Sequence, residues 1–301
     1  MFEQLKNEME FAYKYGEITE NIISKANENI SFFAEKNNVY EQRLNQKIVN
    51  AYSDRSVPEF HDIKGMKEYF NYDYSTLLLL ILIILFLSPI FSKETEIEMD
   101  GLLKITKNGH ILAKSKLLSG MVVVGLISTF FLLQDLCFFS LFYRISGFSN
   151  PIYSIEQFAL SPLNMSITGF IVMNIMLKVI AFIVIGLLVM LFSSLFSDEI
   201  LPFCLSLGTV ALLVTTGTFA CGEFGEIISF INPVSLLTNT VLFENYDVVK
   251  VFDYPIFSVY IYLFIALLTC VLLSILIMKT SFKSKFKLQL IKREKEIFHD
   301  N

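Results

Sequence analysis

Five long apolar runs constrain this chain more than any other feature of its sequence. A helix needs about 20 consecutive apolar residues to cross the hydrocarbon core of a bilayer. In lipid every backbone polar group has to be satisfied within the spanning structure, which favours helices for runs of this length. The sequence therefore predicts an all-α integral membrane protein with about five transmembrane helices. The predicted spans cover residues 75–92, 117–143, 167–196, 200–220 and 256–278.

The charged residues are concentrated before the first of these runs. Residues 1–73 contain 22 of the chain's 53 charged residues, although the chain as a whole is 54% hydrophobic. Apolar residues there recur at helical spacing, as at Ile22, Ala26 and Ile30. We expect three parts in order: a helical N-terminal region at 1–73, a transmembrane domain at 74–279 and a basic tail at 280–301.

The segment 222–243 is apolar, but polar residues and a proline interrupt it. Glu223, Glu226 and the pair Asn232-Pro233 all fall within it. Irregular backbone at membrane depth is tolerated where protein covers it. We interpret the segment as re-entrant or interfacial rather than as a sixth span.

The basic residues of the short segments predict the orientation in the cell membrane. The loop 93–116 contains five lysines and the tail 279–301 contains seven Lys or Arg, whereas 144–166 has only Arg144. Four predicted spans separate the two basic segments, so both are expected on the cytoplasmic side. The C-terminus is then cytoplasmic and the N-terminal region extracytoplasmic.

An extracytoplasmic N-terminal region of this polarity is awkward to translocate without a preceding span. A further membrane helix upstream of the chain, or a start codon assigned at an internal methionine, would account for it. The alternative is a cytoplasmic N-terminal region and a span count that is wrong by one.

Residue patterns typical of catalysis and metal binding are missing from the sequence. It contains neither G-x-x-x-x-G-K-[ST], which cradles ATP phosphates, nor the nucleophile motif G-x-S-x-G. The three histidines, His61, His110 and His299, lie outside the predicted spans. The four cysteines have no metal-ligand spacing. We expect no catalytic residue, cofactor or metal on this chain, and no nucleic-acid partner.

The stretch from Phe91 to Lys116 is the most informative motif. A membrane helix exits into an acidic turn, which a short amphipathic helix and a basic re-entry follow. The first cytoplasmic loop of the type 2 ABC transporter permeases, in particular those of Gram-positive bacteria, follows the pattern F-S-x-E … G-x-x-x-L-x-x-T-x-x-G-R … K, and this stretch resembles it. The matching residues are Phe91, Ser92, Glu94, Gly101, Thr106, Gly109 and Lys116. His110 stands where many of those permeases have arginine.

The resemblance covers roughly residues 70–301. Tyr72 to Ser75 is similar to the family's entry into its second helix, and Asn232-Pro233 is similar to its outer "N-P". Members of the family have six helices and begin with one on the cytoplasmic side. The sequence departs from that pattern, because residues 1–73 contain no apolar run that could be this first helix.

The resemblance implies a membrane-spanning subunit of an ABC exporter, driven by a separate cytoplasmic ATPase that holds ATP and Mg²⁺. A second permease chain, identical or related, and membrane lipids would be its other partners. The loop 93–116 would dock on the ATPase through Glu94, Glu96 and Glu98. The alternative for this loop is a solvated interfacial helix whose charges only determine topology.

Two charged residues lie inside predicted spans. Asp135 is about 12 Å from the outer end of the second span and Lys178 about 16 Å from the outer end of the third, at 1.5 Å per helical residue. Charges in membranes are costly and are usually paired. We expect an ion pair between Asp135 and Lys178. The alternative is that the third span starts near residue 176 and that Lys178 reaches the interface.

Three other functions remain open at this stage. A membrane-embedded accessory or sensor protein would use 1–73 as a binding domain and would need no ATPase contact. An ion-coupled secondary transporter would be expected to show inverted repeats and several polar groups at the midplane of the membrane. The sequence shows no repeat and too few such polar groups. An intramembrane enzyme would need a histidine within its spans, and the predicted spans contain none.

Overall fold

A computed structural model describes residues 2–57, 64–96, 109–143, 145, 147–219 and 222–281. Within these residues five helical segments are long and apolar enough to cross a membrane. The predicted class, an all-α multi-pass membrane protein, is confirmed at that level, and the predicted spans match in number. The segments are Lys64–Glu96, His110–Tyr143, Ile167–Leu195, Ile200–Gly217 and Ser258–Thr280.

The N-terminal region is a helical hairpin, as the helical spacing of its apolar residues predicts. Helix α1 (Phe2–Glu35) is joined by a short turn to helix α2 (Val39–Tyr52). Asn37 adopts a left-handed conformation in the turn, with φ 52°. The side chain of Asn38 then caps α2 by accepting a hydrogen bond from the backbone N–H of Glu41 at 3.3 Å. Asparagine is favoured in both roles because its side chain bonds locally to the backbone.

The first candidate span is divided into three helices. They are α3 (Lys64–Phe70), α4 (Tyr74–Leu87) and α5 (Pro89–Glu96). The division between α4 and α5 falls at Ser88-Pro89, because proline lacks an N–H and its ring clashes with the preceding turn. Proline is well tolerated at the first position of the new helix.

The second candidate span begins earlier than the sequence pattern predicts. Helix α6 (Gly109–Tyr143) already includes the basic residues before 117 that were expected to form a re-entry segment. Lysine is a good helix former, so a basic stretch can extend an apolar helix without a break. The next two spans are α7 (Ile167–Leu195) and α8 (Ile200–Phe219).

The segment 222–243 is not a continuous helix. It contains α9 (Gly222–Ile231) and two short 3₁₀ turns, Pro233–Leu236 and Asn239–Phe243. At 1.5 Å per residue, α9 is about 15 Å long, which is half the thickness of a hydrocarbon core. The expectation that this segment is not a sixth span agrees with its length; whether it enters a membrane stays a prediction.

A β-hairpin that the sequence analysis did not predict precedes the last span. Strands β1 (Val248–Val251) and β2 (Tyr254–Phe257) are antiparallel, and helix α10 (Ser258–Thr280) follows directly. The two turn residues, Phe252 and Asp253, have φ angles of 47° and 63°. Turns of this kind usually contain Asn-Gly or Asp-Gly, so the Phe-Asp sequence gives no hairpin signal.

The chain forms two compact units. Unit 1 comprises Met1–Ser75, Phe131–Lys178 and Leu236–Ile265. Its core contains a group of aromatic rings whose centroids lie 5.0–5.6 Å apart. Edge-to-face rings at such distances add stability beyond the area they bury. The rings belong to Phe70, Phe158, Phe170 and Phe243.

Unit 2 comprises Thr76–Phe130, Val179–Ser235 and Ala266–Asn301. Its helices approach closely at Gly186 on α7. A Cβ atom at that position would lie 3.1 Å from Leu87 and 3.2 Å from Val124, which is tighter than ordinary contact. Small residues at helix contacts let membrane helices pack closely.

Candidate functional site

The permease-like motif begins at a break in the first span. Pro89 starts α5, so the first turn of that helix has backbone N–H groups that the preceding helix cannot satisfy. Two of these groups, those of Phe91 and Ser92, donate to the hydroxyl oxygen of Ser193 on α7, at 2.9 and 3.1 Å. Ser193 is fully buried. A side chain of a neighbouring helix therefore caps α5.

The two ends of the motif are joined by an ion pair. The ammonium of Lys116, on α6, contacts the carboxylate of Glu94, on α5, and both side chains are partly buried. The same ammonium donates to the backbone oxygen of Ile90 at 3.3 Å and lies 5.5 Å from the centre of the Phe91 ring. We call Pro89–Glu96 together with Lys116 and Ser193 the elbow cluster.

The elbow cluster accounts for about half of the motif residues. Phe91, Ser92, Glu94 and Lys116 come together in it, and Gly109 is the first residue of α6. Glu96 is exposed at the end of α5. Glu98, Gly101 and Thr106 lie outside the described residues. Ser193 could not be predicted from the sequence, because nothing near a single serine in an apolar helix indicates which distant residues it will bond.

Several helix ends of unit 2 meet near the elbow cluster. The hydroxyls of Ser194 on α7 and Thr280 on α10 are 2.5 Å apart. His110 at the start of α6 and Lys279 at the end of α10 line one cavity. His110 of the loop 93–116 and Lys279 of the tail 279–301 therefore lie close together in unit 2. We call this place the elbow end of unit 2.

The two charged residues within the spans each have a partner at the start of α4. Lys178, which is buried, forms an ion pair with Asp73 at 3.5 Å. Asp135 accepts a hydrogen bond from the hydroxyl of Ser75. These contacts connect α6 and α7 through residues 73–75, and coupling between Asp135 and Lys178 themselves stays a prediction.

A buried arginine organises the N-terminal part of unit 1. The Arg55 guanidinium is 8% exposed and lies 4.0 Å from the centre of the Tyr52 ring and 4.8 Å from that of Tyr153. Its Nε donates to the Asn164 side chain at 2.7 Å and its Nη2 to the backbone oxygen of Ser161 at 2.8 Å. Amide oxygens and aromatic faces thus surround a charge that burial would otherwise destabilise.

Three consecutive backbone carbonyls attach this N-terminal hairpin to the segment before α7. They accept hydrogen bonds from three side chains of the N-terminal region: Tyr15 bonds Ala159 at 3.2 Å, Tyr52 bonds Leu160 at 2.8 Å and Arg55 bonds Ser161 at 2.8 Å. Residues 15–55 and 159–161 are therefore joined by hydrogen bonds within unit 1.

Burial shifts the acidity of the tyrosines in this part. Desolvation raises the pKa values of Tyr15 and Tyr52 above their usual range, although the nearby Arg55 charge opposes the shift. Desolvation raises the pKa of Tyr246 to about 12. The Tyr246 hydroxyl is buried and has no hydrogen-bond partner among the residues that the structure describes. These phenols stay neutral at physiological pH, which suits a packing role.

Comparisons with known proteins add no identification. No family of known proteins, no curated protein and no solved structure matches this chain. Within the described residues, no three His, Cys, Asp or Glu side chains are placed to hold a metal ion.

Proposed function

We propose that this chain is the membrane-spanning permease subunit of an ABC exporter, driven by a separate cytoplasmic ATPase. The observation that supports it most is the elbow cluster. Phe91, Ser92, Glu94 and Lys116, which resemble the permease motif, are brought together there.

The elbow cluster has the properties that a force-transmitting element needs. Its ion pair holds the start and the end of the loop 93–116 together, and the hydroxyl of Ser193 joins α5 to α7. Packed, hydrogen-bonded elements move as units rather than deforming continuously. A push on the loop would therefore reach three helices at once.

The mechanism follows from this connection. ATP-driven closure of two partner ATPases would press on the loop 93–116 of each of two permease chains. Movement of α5, α6 and α7 would then open a path outward. An apolar path suits an amphiphile such as a lipid, a peptide or a drug-like molecule. In this proposal the loop and the C-terminal tail are cytoplasmic and the N-terminal region is extracytoplasmic.

The decisive experiment is affinity purification of the tagged chain from its native host in mild detergent, followed by identification of the bound proteins. We expect a Walker-motif ATPase to co-purify. Glu96→Lys should abolish its recovery, since Glu96 is exposed at the end of α5 and its replacement leaves the Glu94–Lys116 ion pair and the hydrogen bonds to Ser193 in place. Glu35→Lys is the matched control, because it makes the same charge change at an exposed position of α1.

Two outcomes would contradict the proposal. If the folded, membrane-inserted chain brings down no ATPase, the accessory or sensor function is favoured. If Glu96→Lys and Glu35→Lys reduce recovery equally, the loop is not the docking element.

The orientation has a test of its own. Glu35→Cys and Lys93→Cys are each introduced into a chain without its native cysteines. A membrane-impermeant thiol reagent should label the first in intact cells and the second only after permeabilisation. The reverse pattern would place the N-terminal region in the cytoplasm.

A further inference from the structure

The two edges of the β-hairpin in unit 1 differ. Helix α2 lies along the outer edge of β2. The ammonium of Lys47 donates to the backbone oxygen of Pro255 at 2.6 Å, and the guanidinium of Arg43 donates to that of Asp253 at 3.3 Å. Pro255 itself has no N–H to offer to another strand. The edge of the sheet on the β2 side is therefore covered by α2.

The edge on the β1 side is open. In a two-residue hairpin the pair that flanks the turn, here Val251 and Tyr254, exchanges both hydrogen bonds, and such pairs alternate along the ladder. The backbone N–H and C=O groups of Val248 and Lys250 therefore point away from β2. Among the residues that the structure describes, none forms a hydrogen bond with these outward groups. Unpaired groups on the edge of a sheet are a template for a further strand.

The side chains of β1 do not protect this edge. A lysine on an edge strand usually keeps other strands away. The ammonium of Lys250, however, forms an ion pair with Asp253 at 2.8 Å and lies 5.0 Å from the centre of the Tyr40 ring. Its charge is thus matched within the hairpin itself. The other three residues of β1 are valines, which are favoured in strands.

One face of the sheet next to this edge is apolar. Val249 lies opposite Ile256 on this face, and Val251 lies opposite Tyr254. Tyr254 is 55% exposed, and the other three side chains are half-buried. An antiparallel sheet usually carries polar side chains on the face that water reaches. A strand added beside β1 would extend this apolar face together with the hydrogen-bond ladder.

The turn of the hairpin presents an aromatic ring at the end of the open edge. Phe252 is 94% exposed and has a left-handed backbone, with φ 47°. This conformation is unusual for a bulky residue, and strained backbone of this kind is concentrated at functional sites. The turn is held by the contacts of its second residue, Asp253, with Arg43 and Lys250.

The open edge selects the kind of partner. Its outward groups, on Val248 and Lys250, repeat at about 7 Å along the strand, a spacing that an extended backbone matches and a lipid or small molecule does not. We propose that β1 is the docking edge for an extended segment of a second protein, which adds a third strand to the sheet and contacts Phe252. The segment has apolar side chains at alternate positions. The inference does not depend on an ATPase partner, because the edge exists with or without one.

A proline at position 250 tests the edge without breaking the hairpin. The N–H of Lys250 takes no part in the ladder with β2, so Lys250→Pro removes only an outward donor from the backbone. Lys250→Ala is the matched control. It loses the same side chain and the same ion pair with Asp253, but it keeps the N–H.

The binding assay uses the full chain in membranes of its native host, with p-benzoylphenylalanine in place of Phe252 as a photocrosslinker. We expect an adduct with a second protein, through one segment with alternating apolar residues. Lys250→Pro should lower the adduct yield about five-fold or more, the effect of one lost hydrogen bond. Lys250→Ala should leave it unchanged. Support comes from this dependence on the Lys250 amide and not from the adduct itself.

Hydrogen exchange resolved at single amides is a second measurement on the unmodified chain. In the purified protein the N–H groups of Val249 and Val251, which bond to β2, should exchange slowly, and that of Lys250 should exchange fast. In native membranes the Lys250 amide should become at least several-fold slower. Slow exchange of Val249 and Val251 in Lys250→Pro shows that the hairpin is intact in that variant.

Four results would overturn the proposal. Slow exchange of Lys250 in the purified chain would show that the edge is already covered. Equally fast exchange of Lys250 in native membranes would show that no strand binds there. Equal loss of the adduct in Lys250→Pro and Lys250→Ala would assign binding to the side chain rather than to the edge. An adduct only with a second copy of this chain would make the hairpin an interface between copies.

Discussion

The hydroxyl oxygen of Ser193 accepts a hydrogen bond from the backbone N–H of Phe91 at 2.9 Å. The two residues are 102 positions apart in the chain, and the same oxygen also accepts from the N–H of Ser92 at 3.1 Å. Both N–H groups are left over by the break at Pro89. One buried hydroxyl thus satisfies two donors that a broken membrane helix would otherwise leave unpaired.

Replacing Ser193 by alanine should destabilise the protein markedly. Each buried donor left without an acceptor costs about 1–3 kcal/mol, so Ser193→Ala should lower the free energy of unfolding by roughly 2 kcal/mol or more. The midpoint of thermal unfolding in detergent, followed by circular dichroism, measures the effect. Ser128→Ala is the control, since Ser128 is equally buried but bonds only to its own helix, at Val124 and Gly125. Equal effects of the two changes would refute the capping role.

The pair between Glu94 and Lys116 should show energetic coupling. Glu94→Gln and Lys116→Gln each remove it, and a double-mutant cycle should give a coupling energy of about 1 kcal/mol, because both side chains are partly buried. Glu94→Lys combined with Lys116→Glu should recover part of the stability that either reversal loses. The exposed pair Glu10–Lys14 on α1 is the comparison, and its coupling should be weaker than that of Glu94 and Lys116, because solvent screens it. Additive effects at Glu94 and Lys116 would show that the contact contributes nothing.

The buried ammonium of Lys178 should depend on Asp73. Asp73→Asn leaves a buried charge without its partner and should reduce stability more than Lys178→Met, which removes the charge itself. Asp135→Asn should have a smaller effect, because an asparagine oxygen can still accept the hydrogen bond from Ser75. Thermal unfolding of the single variants and of the two double variants with Lys178→Met shows whether Lys178 is paired with Asp73 or with Asp135. If Lys178→Met rescues Asp135→Asn but not Asp73→Asn, the pair predicted from the sequence is the effective one.

Two tyrosines should respond in opposite directions to loss of the hydroxyl group. Tyr52→Phe removes the 2.8 Å hydrogen bond to the backbone oxygen of Leu160 and should cost about 1 kcal/mol. Tyr246→Phe removes a buried hydroxyl that has no partner and should be neutral or stabilising. Each variant is the other's control, since both lose one phenolic oxygen atom in the same part of unit 1, from a buried ring at Tyr52 and a half-buried ring at Tyr246. A loss of stability in Tyr246→Phe as large as in Tyr52→Phe would contradict the conclusion that the Tyr52 hydroxyl is hydrogen-bonded and the Tyr246 hydroxyl is not.

The raised pKa of Tyr246 predicts how the stability of the protein depends on pH. Because burial raises the pKa of Tyr246 to about 12, the unfolded chain ionises first, at its ordinary value near 10. The contribution of the neutral Tyr246 phenol to the free energy of unfolding is therefore fully present below a pH of about 10, and it is lost as the pH rises towards about 12. Tyr246→Phe should flatten the fall in unfolding midpoint over this range. A fall of the same size in the variant would assign it to other groups.

The location and number of the spans could be predicted from the sequence. The apolar run from Leu77 to Leu87 needs no distant partner to form a helix, since hydrophobicity and backbone hydrogen bonding are local properties. The motif residues Glu94 and Lys116 could also be singled out, although nothing in their spacing indicates that they pair. The β-hairpin at 248–257 escaped prediction because its turn residues are not those that such turns favour.

The sequence by itself determined that this chain is helical, multi-pass and divided into a polar and an apolar part, because each property is encoded in a short stretch of neighbouring residues. Only the tertiary structure decided which residues meet across long separations. It joined Ser193 to Phe91, Lys178 to Asp73 and Arg55 to the carbonyl of Ser161. A buried donor or charge has to find an acceptor somewhere in the fold, but many acceptors would satisfy it equally well, and packing selects among them.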